Sequence, residues 1–303
     1  PAGGSTDPSR RHVDAMSILE AGLGPTGQRV SGWLGRYIAS TSTGADLEAV
    51  AIGRFVPRSL AGHDASIGLA DLSTFELAPL GAGSVAPDLA AAVRAVHPEP
   101  PPDLVAEQGR VAFAVLDRLA LAGLTGAPVP DDFGSGTVGV DLWQAAQLIR
   151  ADVGVRALTV DWGGWDHHDD QGTHEAGRMV DQVDALATGL RGFWDAVAEH
   201  DDRVTVVIMS EFGRRVAQNA SGGTDHGHGG VLTVLGGGVN GGIHGAWEGL
   251  ESDVLDRGDV PVLTDYRHVL AEVVDRRLGS DSELDELFPG FVTGPGSYVG
   301  VVA

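Results

Sequence analysis

The chain has 303 residues, of which 43% are hydrophobic, so it is long enough to bury a full core in one large domain or at most two. Its formal net charge of −22 disfavours binding to nucleic acid or to an anionic membrane surface, because both roles need a basic face. Neither cysteine nor lysine occurs, which excludes disulfides, thiolate metal sites, a P-loop lysine and Schiff-base chemistry.

The N-terminal half is predicted to hold short helices and strands separated by turn-forming residues. In chain order, the predicted elements are helices over Arg10–Ala21 and Gly32–Ala39, strands over Val50–Phe55 and Thr74–Leu77, a helix over Pro87–His97, a break at HPEPPPD (97–103), a longer helix over Leu104–Leu121, a loop over Thr125–Gly136 and a helix over Val138–Ala151. No apolar run has the length of a transmembrane helix.

The C-terminal half has a clearer alternation of strand and helix patterns. Gly154–Trp162, Arg203–Ser210 and Val231–Gly237 are apolar runs of the kind that form buried strands. A helix follows the first run, and its apolar stripe is Val180, Val183, Leu186, Leu190, Phe193 and Val197. A closing helix is predicted over Asp265–Leu278. The alternation predicts an α/β fold with a parallel sheet.

Side chains that can ligate metals follow two of these strands. The first strand leads into VDWGGWDHHDDQGTH (160–174), the second into SEFGRR (210–215), and the next loop is GGTDHGHGG (222–230). If the two strands are adjacent and parallel, these groups converge at one edge of the sheet, where α/β proteins bind ligands.

Carboxylate and imidazole together are the ligand set of Zn²⁺ or Mn²⁺, with Ca²⁺ and Mg²⁺ as further possibilities. Glu211 is predicted as a second-rank ligand or a general base. Arg214, or less favoured Arg215, is predicted to hold an anionic group bidentately. A nucleophile is not assigned. The predicted metal contacts are Asp166, His168, Asp225, His226 and His228.

A single loop rich in His and Asp is often a solvated turn, but two such loops, each after a buried strand, favour a site. Other polar residues of this region have ordinary explanations. Thr173 is predicted to cap a helix that starts near His174, and Asp169 or Asp170 to be plain surface. Four other histidines, His63, His97, His200 and His268, are predicted to stand alone and to be structural or solvated, and His12 is isolated by its spacing.

Several functional motifs fail or are absent. GGGVNG (236–241) fits G-x-G-x-x-G, but the residues after it do not start a helix, so a dinucleotide site is disfavoured. Neither G-x-S-x-G nor H-E-x-x-H occurs. Trp162, Trp165 and Trp247 could stack on a sugar, whereas Trp194 lies beside a helical core stripe and is predicted to pack.

Six short motifs follow one another along the chain between Ser5 and Val273, and the resemblance that they carry extends to about Phe291. They are STDPSRRHVDA, GGWDHHDDQ, VTVVIMSEFGRR, GGTDHGHGG, VLGGGVNGG and TDYRHVLAEV. In this order they resemble the bacterial domain of unknown function 1501 family, which is grouped with the sulfatase and alkaline phosphatase superfamily.

The superfamily resemblance implies a three-layer α/β/α fold with a largely parallel central sheet. It also implies two divalent metals and hydrolysis of phosphate or sulfate esters through a Ser, Thr or formylglycine nucleophile. By motif, it places Asp166 and His168 after one strand, Glu211 at a second strand end, and His226 or His228 as the later ligand.

The chain departs from the superfamily pattern in two respects. Glu211-Phe212 stands where the superfamily usually has Asp-His, and no upstream motif of the Gly-Gly-Xaa-Asp-Gly type is found. Either the chain is a fragment whose upstream strand segment would lie before Pro1, or the catalytic half is missing. We expect residues 1–303 to form a single α/β domain that lacks this N-terminal strand segment. The family resemblance also implies a twin-arginine export signal upstream, because many members carry one.

The leading hypothesis is an exported, metal-dependent hydrolase with a small anionic ester as substrate. The alternative is a non-catalytic exported protein that reuses the fold for binding or assembly, with the His/Asp cluster as a structural ion site or a hydrogen-bonded network. A third hypothesis, a sugar-binding enzyme, depends on the tryptophans. No nucleic-acid partner and no membrane span are expected, and the sequence does not predict an oligomeric state.

Overall fold

The computed structural model of the chain describes residues 3–5, 11–27, 29–72, 91, 95, 104–124, 127–279 and 284–303. Its helices are α1 (His12–Ala21), α2 (Trp33–Thr41), α3 (Leu104–Leu121), α4 (Thr137–Arg150), α5 (Arg178–Ala196), α6 (Tyr266–Val273) and α7 (Leu284–Leu287). Its strands are β1 (Gly3–Gly4), β2 (Ala49–Ile52), β3 (Ile67–Leu69), β4 (Ala157–Val160), β5 (Thr205–Ile208), β6 (Gly213–Arg214), β7 (His226–Gly227), β8 (Thr233–Gly236) and β9 (Thr264–Asp265).

The helices that were predicted within the described residues are confirmed to within a few residues. The predicted helix Asp265–Leu278 becomes α6 followed by a π-helical turn, Val274–Leu278. The predicted loop Thr125–Gly136 contains a 3-10 turn at Asp131–Phe133. Among the described residues, no helix is both long enough and apolar enough to cross a membrane, in agreement with the sequence.

Four strands were predicted within the described residues, and each is present but shorter than expected. The predicted runs Val50–Phe55, Gly154–Trp162, Arg203–Ser210 and Val231–Gly237 become β2, β4, β5 and β8, of 4 residues each. The predicted strand Thr74–Leu77, the helix Pro87–His97 and the break at 97–103 lie outside the described residues, apart from Ala91 and Ala95, which are helical.

The strands form four small sheets in the described part of the chain. The largest has the order β3-β2-β4 and is parallel, with Val50 opposite Ile67 and Ile52 opposite Val160. β1 and β9 form a parallel pair, whereas β5–β8 and β6–β7 are antiparallel pairs. The predicted α/β class with parallel strands is therefore confirmed.

The condition that the two strands leading into the polar loops are adjacent and parallel is not met by the described strand pairs. β4 pairs with β2, and β5 pairs antiparallel with β8. The direction of β8 fits its connection to β5, because parallel neighbours usually need a crossover helix. The segment from β5 to β8 contains only the small β6–β7 hairpin, so the chain returns antiparallel.

Helices cover both faces of the strands. In β2, Val50 and Ile52 pack in a cluster with α3, α4 and α5, whereas Ala49 and Ala51 pack in a second cluster with α1, α2, α6 and α7. β4 and β5 divide in the same way, with Leu158, Val160 and Val206 on the first side and Ala157 and Val207 on the second. Alternate side chains of a strand point to opposite faces, so the strands lie between two helical layers.

β5 is less covered than its composition suggests. All four of its residues are half-buried, although Arg203–Ser210 was predicted to be a strand covered on both faces. Its side chains do reach both clusters, but its one hydrogen-bonded neighbour among the described residues is β8. A strand at the edge of a two-stranded ribbon keeps part of its surface exposed even when helices lie above and below it.

The buried carboxylate of Glu272, on α6, holds the C-terminal segment of the chain. The side chain is 1% exposed and accepts hydrogen bonds from the backbone N–H groups of Val299, Gly300 and Val302 at 2.8 to 2.9 Å. Val299 and Gly300 lie in irregular chain and Val302 forms only an isolated bridge with Val239, so one side chain satisfies N–H groups that would otherwise need a strand neighbour.

Replacing Glu272 with Gln is expected to lower the free energy of unfolding by about 2 kcal/mol, because the amide cannot accept from all three buried donors. Urea denaturation measures the change. The matched control is Glu199→Gln on the surface, for which we expect a change within about 0.5 kcal/mol. Equal losses of stability in the two variants would contradict the proposed role of Glu272 in holding the C-terminal segment.

Glu48 joins α2 to the parallel sheet. Its side chain is fully buried and accepts from Ser42 Oγ, from the N–H of Thr43 at 2.7 Å and from Thr43 Oγ1 at 2.8 Å, while Arg156 lies 3.4 Å away. Burial on its own raises the pKa of Glu48, but the hydrogen bonds from Ser42 and Thr43 and the charge of Arg156 lower it below its ordinary value of 4.5.

A lowered pKa in the folded state means that ionised Glu48 stabilises the fold above pH 4.5, and that this contribution is lost as the pH falls through the folded-state pKa. Glu48→Gln should therefore cost about 2 kcal/mol near pH 7 and progressively less below pH 4.5. Urea denaturation of both proteins from pH 7 to pH 3.5 tests this. If the difference in free energy of unfolding between the two proteins stays constant or grows as the pH falls, the pKa of Glu48 is not lowered by folding.

Candidate metal centre

The candidate site is formed where the loop after β4 meets the loop that connects β5 to β8. The two loops pair through their backbones: the N–H of Asp170 donates to Ser221 O, that of Gln171 to Gly222 O and that of Thr224 to His167 O, each at 3.1 Å. Gly223 permits this approach, because a Cβ there would overlap the backbone of His168 and Asp169. Loop pairing, rather than strand pairing, brings the predicted residues together.

Asp166, His168 and His226 form a group of possible metal ligands. One donor atom from each lies within 4.8 Å of the other two. Oδ1 of Asp166 is 2.7 Å from Nε2 of His226 and 3.0 Å from Nε2 of His168. The side chains of Asp166 and His168 are nearly half exposed, and that of His226 is 18% exposed, so solvent reaches the group.

Arg214, on β6, is largely buried and binds the carboxylate of Asp166. Its guanidinium donates to Oδ1 of Asp166 at 2.5 Å, to the carbonyl of Trp165 at 2.9 Å and to the carbonyl of Thr224 at 2.6 Å. It also lies 4.8 Å from the ring centre of Phe212 and is only 15% exposed. Arg214 thus connects both loops through its two Nη atoms, whereas its buried Nε has no hydrogen-bond partner among the described residues.

These contacts favour ionised Asp166. Partial burial raises the pKa of Asp166, but the hydrogen bond and charge of His226, followed by those of Arg214, lower it below its ordinary value. The carboxylate is therefore in the state that a metal ligand requires.

Asp225 lies beside the group rather than in it. Its Oδ1 is 3.3 Å from Nδ1 of His168, on the far side of that ring from Asp166, and it accepts from Nδ2 of Asn219 at 3.1 Å. The hydrogen bonds from Asn219 and His168 lower the pKa of Asp225 below its ordinary value. The structure thus gives Asp225 a contact with a predicted ligand.

His228 and Glu211 also lie outside the three-residue group. Nδ1 of His228 is 3.4 Å from Oδ2 of Asp256, and the ring is largely buried. Oε1 of Glu211 is 3.8 Å from Nδ1 of His12. Arg215, the less favoured candidate to hold an anionic group, is 3.4 Å from the buried carboxylate of Asp259, so it already forms an ion pair within the protein.

Two aromatic rings that the sequence did not point to surround His226. Phe212 stacks on it, with ring centres 4.8 Å apart and planes at 15°. His12, at the start of α1, meets the ring of His226 edge to face at 5.7 Å. His12 was predicted to be isolated, and its spacing gave no other indication. Its position in the STDPSRRHVDA motif was the single available signal.

The neighbouring residues mostly have ordinary roles. His174 is 91% exposed. The prediction that Thr173 caps the next helix is wrong: α5 begins at Arg178, and Oγ1 of Thr173 accepts from the N–H groups of Glu175 and Ala176 in a separate turn. Gly172 and Gly177 approach each other too closely for a Cβ at either, which delays the helix start.

The group fits a divalent ion by its chemistry. One carboxylate and two imidazoles are a common ligand set for Zn²⁺ and also suit Mn²⁺. Both Nε2 atoms point at the same oxygen of Asp166, so a single ion could contact all three side chains. Arg214 donates to that same oxygen, so an ion would share or replace this contact.

Residues 144–283 match the model of a family described as a protein of unknown function (DUF1501). The matched region contains the three-residue group, Arg214 and Asn219, whereas the STDPSRRHVDA motif lies outside it. The match supports the resemblance to the DUF1501 family, and the wider superfamily rests on the motif resemblance alone. No curated protein and no solved structure matches the chain.

Replacing Arg214 with Lys keeps the charge but removes the planar fork that bridges the two loops. We expect the free energy of unfolding to fall by about 2 to 3 kcal/mol, because buried carbonyls lose their donors. Urea denaturation measures the loss. Arg191→Lys is the control, since Arg191 is exposed and pairs only with Asp195 four residues on, and it should change stability by less than about 0.5 kcal/mol. Similar effects in both variants would argue against the bridge.

Proposed function

We propose that the chain is a metal-dependent hydrolase of phosphate or sulfate esters whose divalent ion is held by Asp166, His168 and His226. The observation that carries the proposal is the convergence of these three donors on one oxygen in a solvent-accessible position. Zn²⁺ or Mn²⁺ is the preferred ion, with Ca²⁺ or Mg²⁺ as alternatives. The motif resemblance to the phosphatase and sulfatase superfamily supports the reaction class and the three-layer fold.

A bound divalent ion would supply a Lewis acid that polarises an oxygen of the ester. Hydrolysis consumes one water and releases an alcohol together with phosphate or sulfate. Asp166 provides the anionic ligand, and His226 is kept in place by the stacked ring of Phe212. Glu211 is the proposed general base, with its carboxylate beside His12.

The proposed role of Arg214 differs from the anion clamp that its sequence context favours. Its donors bind Asp166 and two backbone carbonyls, so the guanidinium is not presented to a substrate. We propose instead that Arg214 positions Asp166 and that the ion meets the anionic group of the ester. The nucleophile stays unassigned, and export of the chain stays a prediction from the family resemblance.

One observation favours the alternative, a non-catalytic protein that reuses the fold. Arg214 already provides positive charge against Asp166, so the cluster can exist as a hydrogen-bonded network without an ion. In that case the three side chains stabilise the pairing of the two loops, and the protein binds or assembles without hydrolysing an ester.

Elemental analysis of purified, chelator-washed protein separates the two functions. We expect close to one Zn or Mn per chain in wild type and its loss in His226→Ala, because the variant removes one of three protein ligands. On a panel of phosphate and sulfate monoesters, kcat/KM should fall by at least about 100-fold, since the ion stabilises transition-state charge by several kcal/mol.

The matched control is His174→Ala, which removes an exposed histidine from the same loop and should retain metal and activity. Metal without hydrolysis across the panel would favour the binding function. Absence of metal from wild type, with melting unaffected by chelation, would favour the hydrogen-bonded network and contradict the hydrolase.

A further inference from the structure

We infer that Asp225 and Asn219 are positioning residues that fix the ring of His168 for metal binding, and that Asp225 is not itself a ligand. The inference rests on the proposed metal site. It departs from the sequence, which placed Asp225 among the ligands and gave Asn219 no role. The structure places Asp225 against Nδ1 of His168 and Asp166 against Nε2 of the same ring.

The two carboxylates therefore address opposite nitrogens of one imidazole. Oδ1 of Asp225 is 3.3 Å from Nδ1, and Oδ1 of Asp166 is 3.0 Å from Nε2. A neutral imidazole has one N–H donor and one acceptor nitrogen, and an ionised carboxylate can only accept. Without an ion, the two carboxylates compete for the single proton of the ring. When an ion takes the lone pair of Nε2, the proton lies on Nδ1, where Asp225 accepts it and fixes the ring.

Asn219 holds both the side chain and the backbone of this arrangement. Its Nδ2 donates to Oδ1 of Asp225 at 3.1 Å and to the carbonyl of His168 at 2.9 Å. Its Oδ1 accepts from the N–H groups of Ser221 at 3.0 Å and Gly223 at 3.1 Å. The side-chain amide of Asn219 is thus fixed by the backbone of its own turn. In this position it orients the carboxylate of Asp225 on the same loop and the backbone of His168 on the loop after β4.

Charge and exposure agree with an indirect role. Asp225 is 53% exposed, and it shares the carboxylate oxygen that faces His168 with the amide of Asn219. A carboxylate that hydrogen-bonds the second nitrogen of a ligating histidine sets the tautomer and ring direction, and its loss weakens metal affinity about 10- to 100-fold. If Asp225 were a direct ligand, its replacement should weaken zinc binding more than replacement of Asn219, whose amide only supports it.

The test measures zinc affinity and the His168 tautomer in separate experiments. Zinc affinity is determined by chelator competition for wild type, Asn219→Ala, Asp225→Ala and the control Asn240→Ala, whose amide also donates to a backbone carbonyl, that of Gly300. We expect about 10- to 100-fold weaker zinc binding in the first two variants and no change in the control. Thermal unfolding of the zinc-free proteins checks that all are folded.

The tautomer is read from ¹⁵N chemical shifts of histidine-labelled, zinc-loaded protein at pH 8. Wild type should show His168 with zinc on Nε2 and the proton on Nδ1, and both variants should show a mixture of Nε2-bound and Nδ1-bound rings, an effect that a purely structural role would not produce. An unchanged tautomer and unchanged zinc affinity in both variants would overturn the inference. So would a loss confined to Asp225→Ala, which would make Asp225 a ligand after all.

Failure of the proposed function is distinguishable from failure of this inference. If wild type takes up zinc but hydrolyses no ester, the hydrolase is contradicted, while weaker zinc binding with a changed tautomer still supports the positioning role. If wild type takes up no zinc, the metal function fails and the inference fails with it. Zinc uptake with hydrolysis and unaltered variants contradicts the inference alone.

Discussion

The site depends on backbone hydrogen bonds between two loops. Because β4 and β5 belong to different sheets, no ladder fixes the distance between the segments that follow them. The pairing of residues 167–171 with residues 221–224 supplies that distance instead, and it places a carboxylate and an imidazole from one loop against an imidazole from the other. Glycine in the second loop is a steric requirement of this contact rather than a source of flexibility.

The helical layers provide the rigid support on which these loops rest. β2, β4 and β5 each send side chains to both apolar clusters, so the strands stay together through packing even where they do not share hydrogen bonds. Buried carboxylates complete the frame. Glu48 ties α2 to the parallel sheet, and Glu272 satisfies irregular backbone near the C-terminal end of the chain. The loops are therefore held by a frame of packed helices and strands with hydrogen-bonded buried carboxylates.

Much of the element order could be predicted from the sequence, because periodicity reports which faces are buried. The helix Leu104–Leu121 has the predicted bounds, and α5 follows its apolar stripe closely. The pairing of the strands could not be predicted in the same way, because the apolar run of β5 is compatible with both parallel and antiparallel neighbours. The missing helix between β5 and β8 was the available signal for antiparallel pairing, and the prediction of a parallel neighbour overlooked it.

The candidate site could be predicted in its residue types but not in its contacts. The two polar loops identified Asp166, His168 and His226, because two loops rich in His and Asp, each after a predicted buried strand, favour a site over solvated turns. Nothing local showed that Arg214 would face inward or that Asn219 would span both loops, since each depends on partners about 50 residues away. His12 is the extreme case, because it comes from a helix that is more than 150 residues earlier in the chain.

The guanidinium of Arg214 gives the centre an internal counter-ion. An arginine cannot lose its charge at any accessible pH, so this cation is permanent. Any ion that joins Asp166 must gain more from the carboxylate and the two imidazoles than it loses by approaching a fixed positive charge. Sodium or potassium, with one charge and little affinity for imidazole nitrogen, would gain too little. If an ion binds as proposed, the arginine that orders Asp166 would therefore disfavour ions of low charge density.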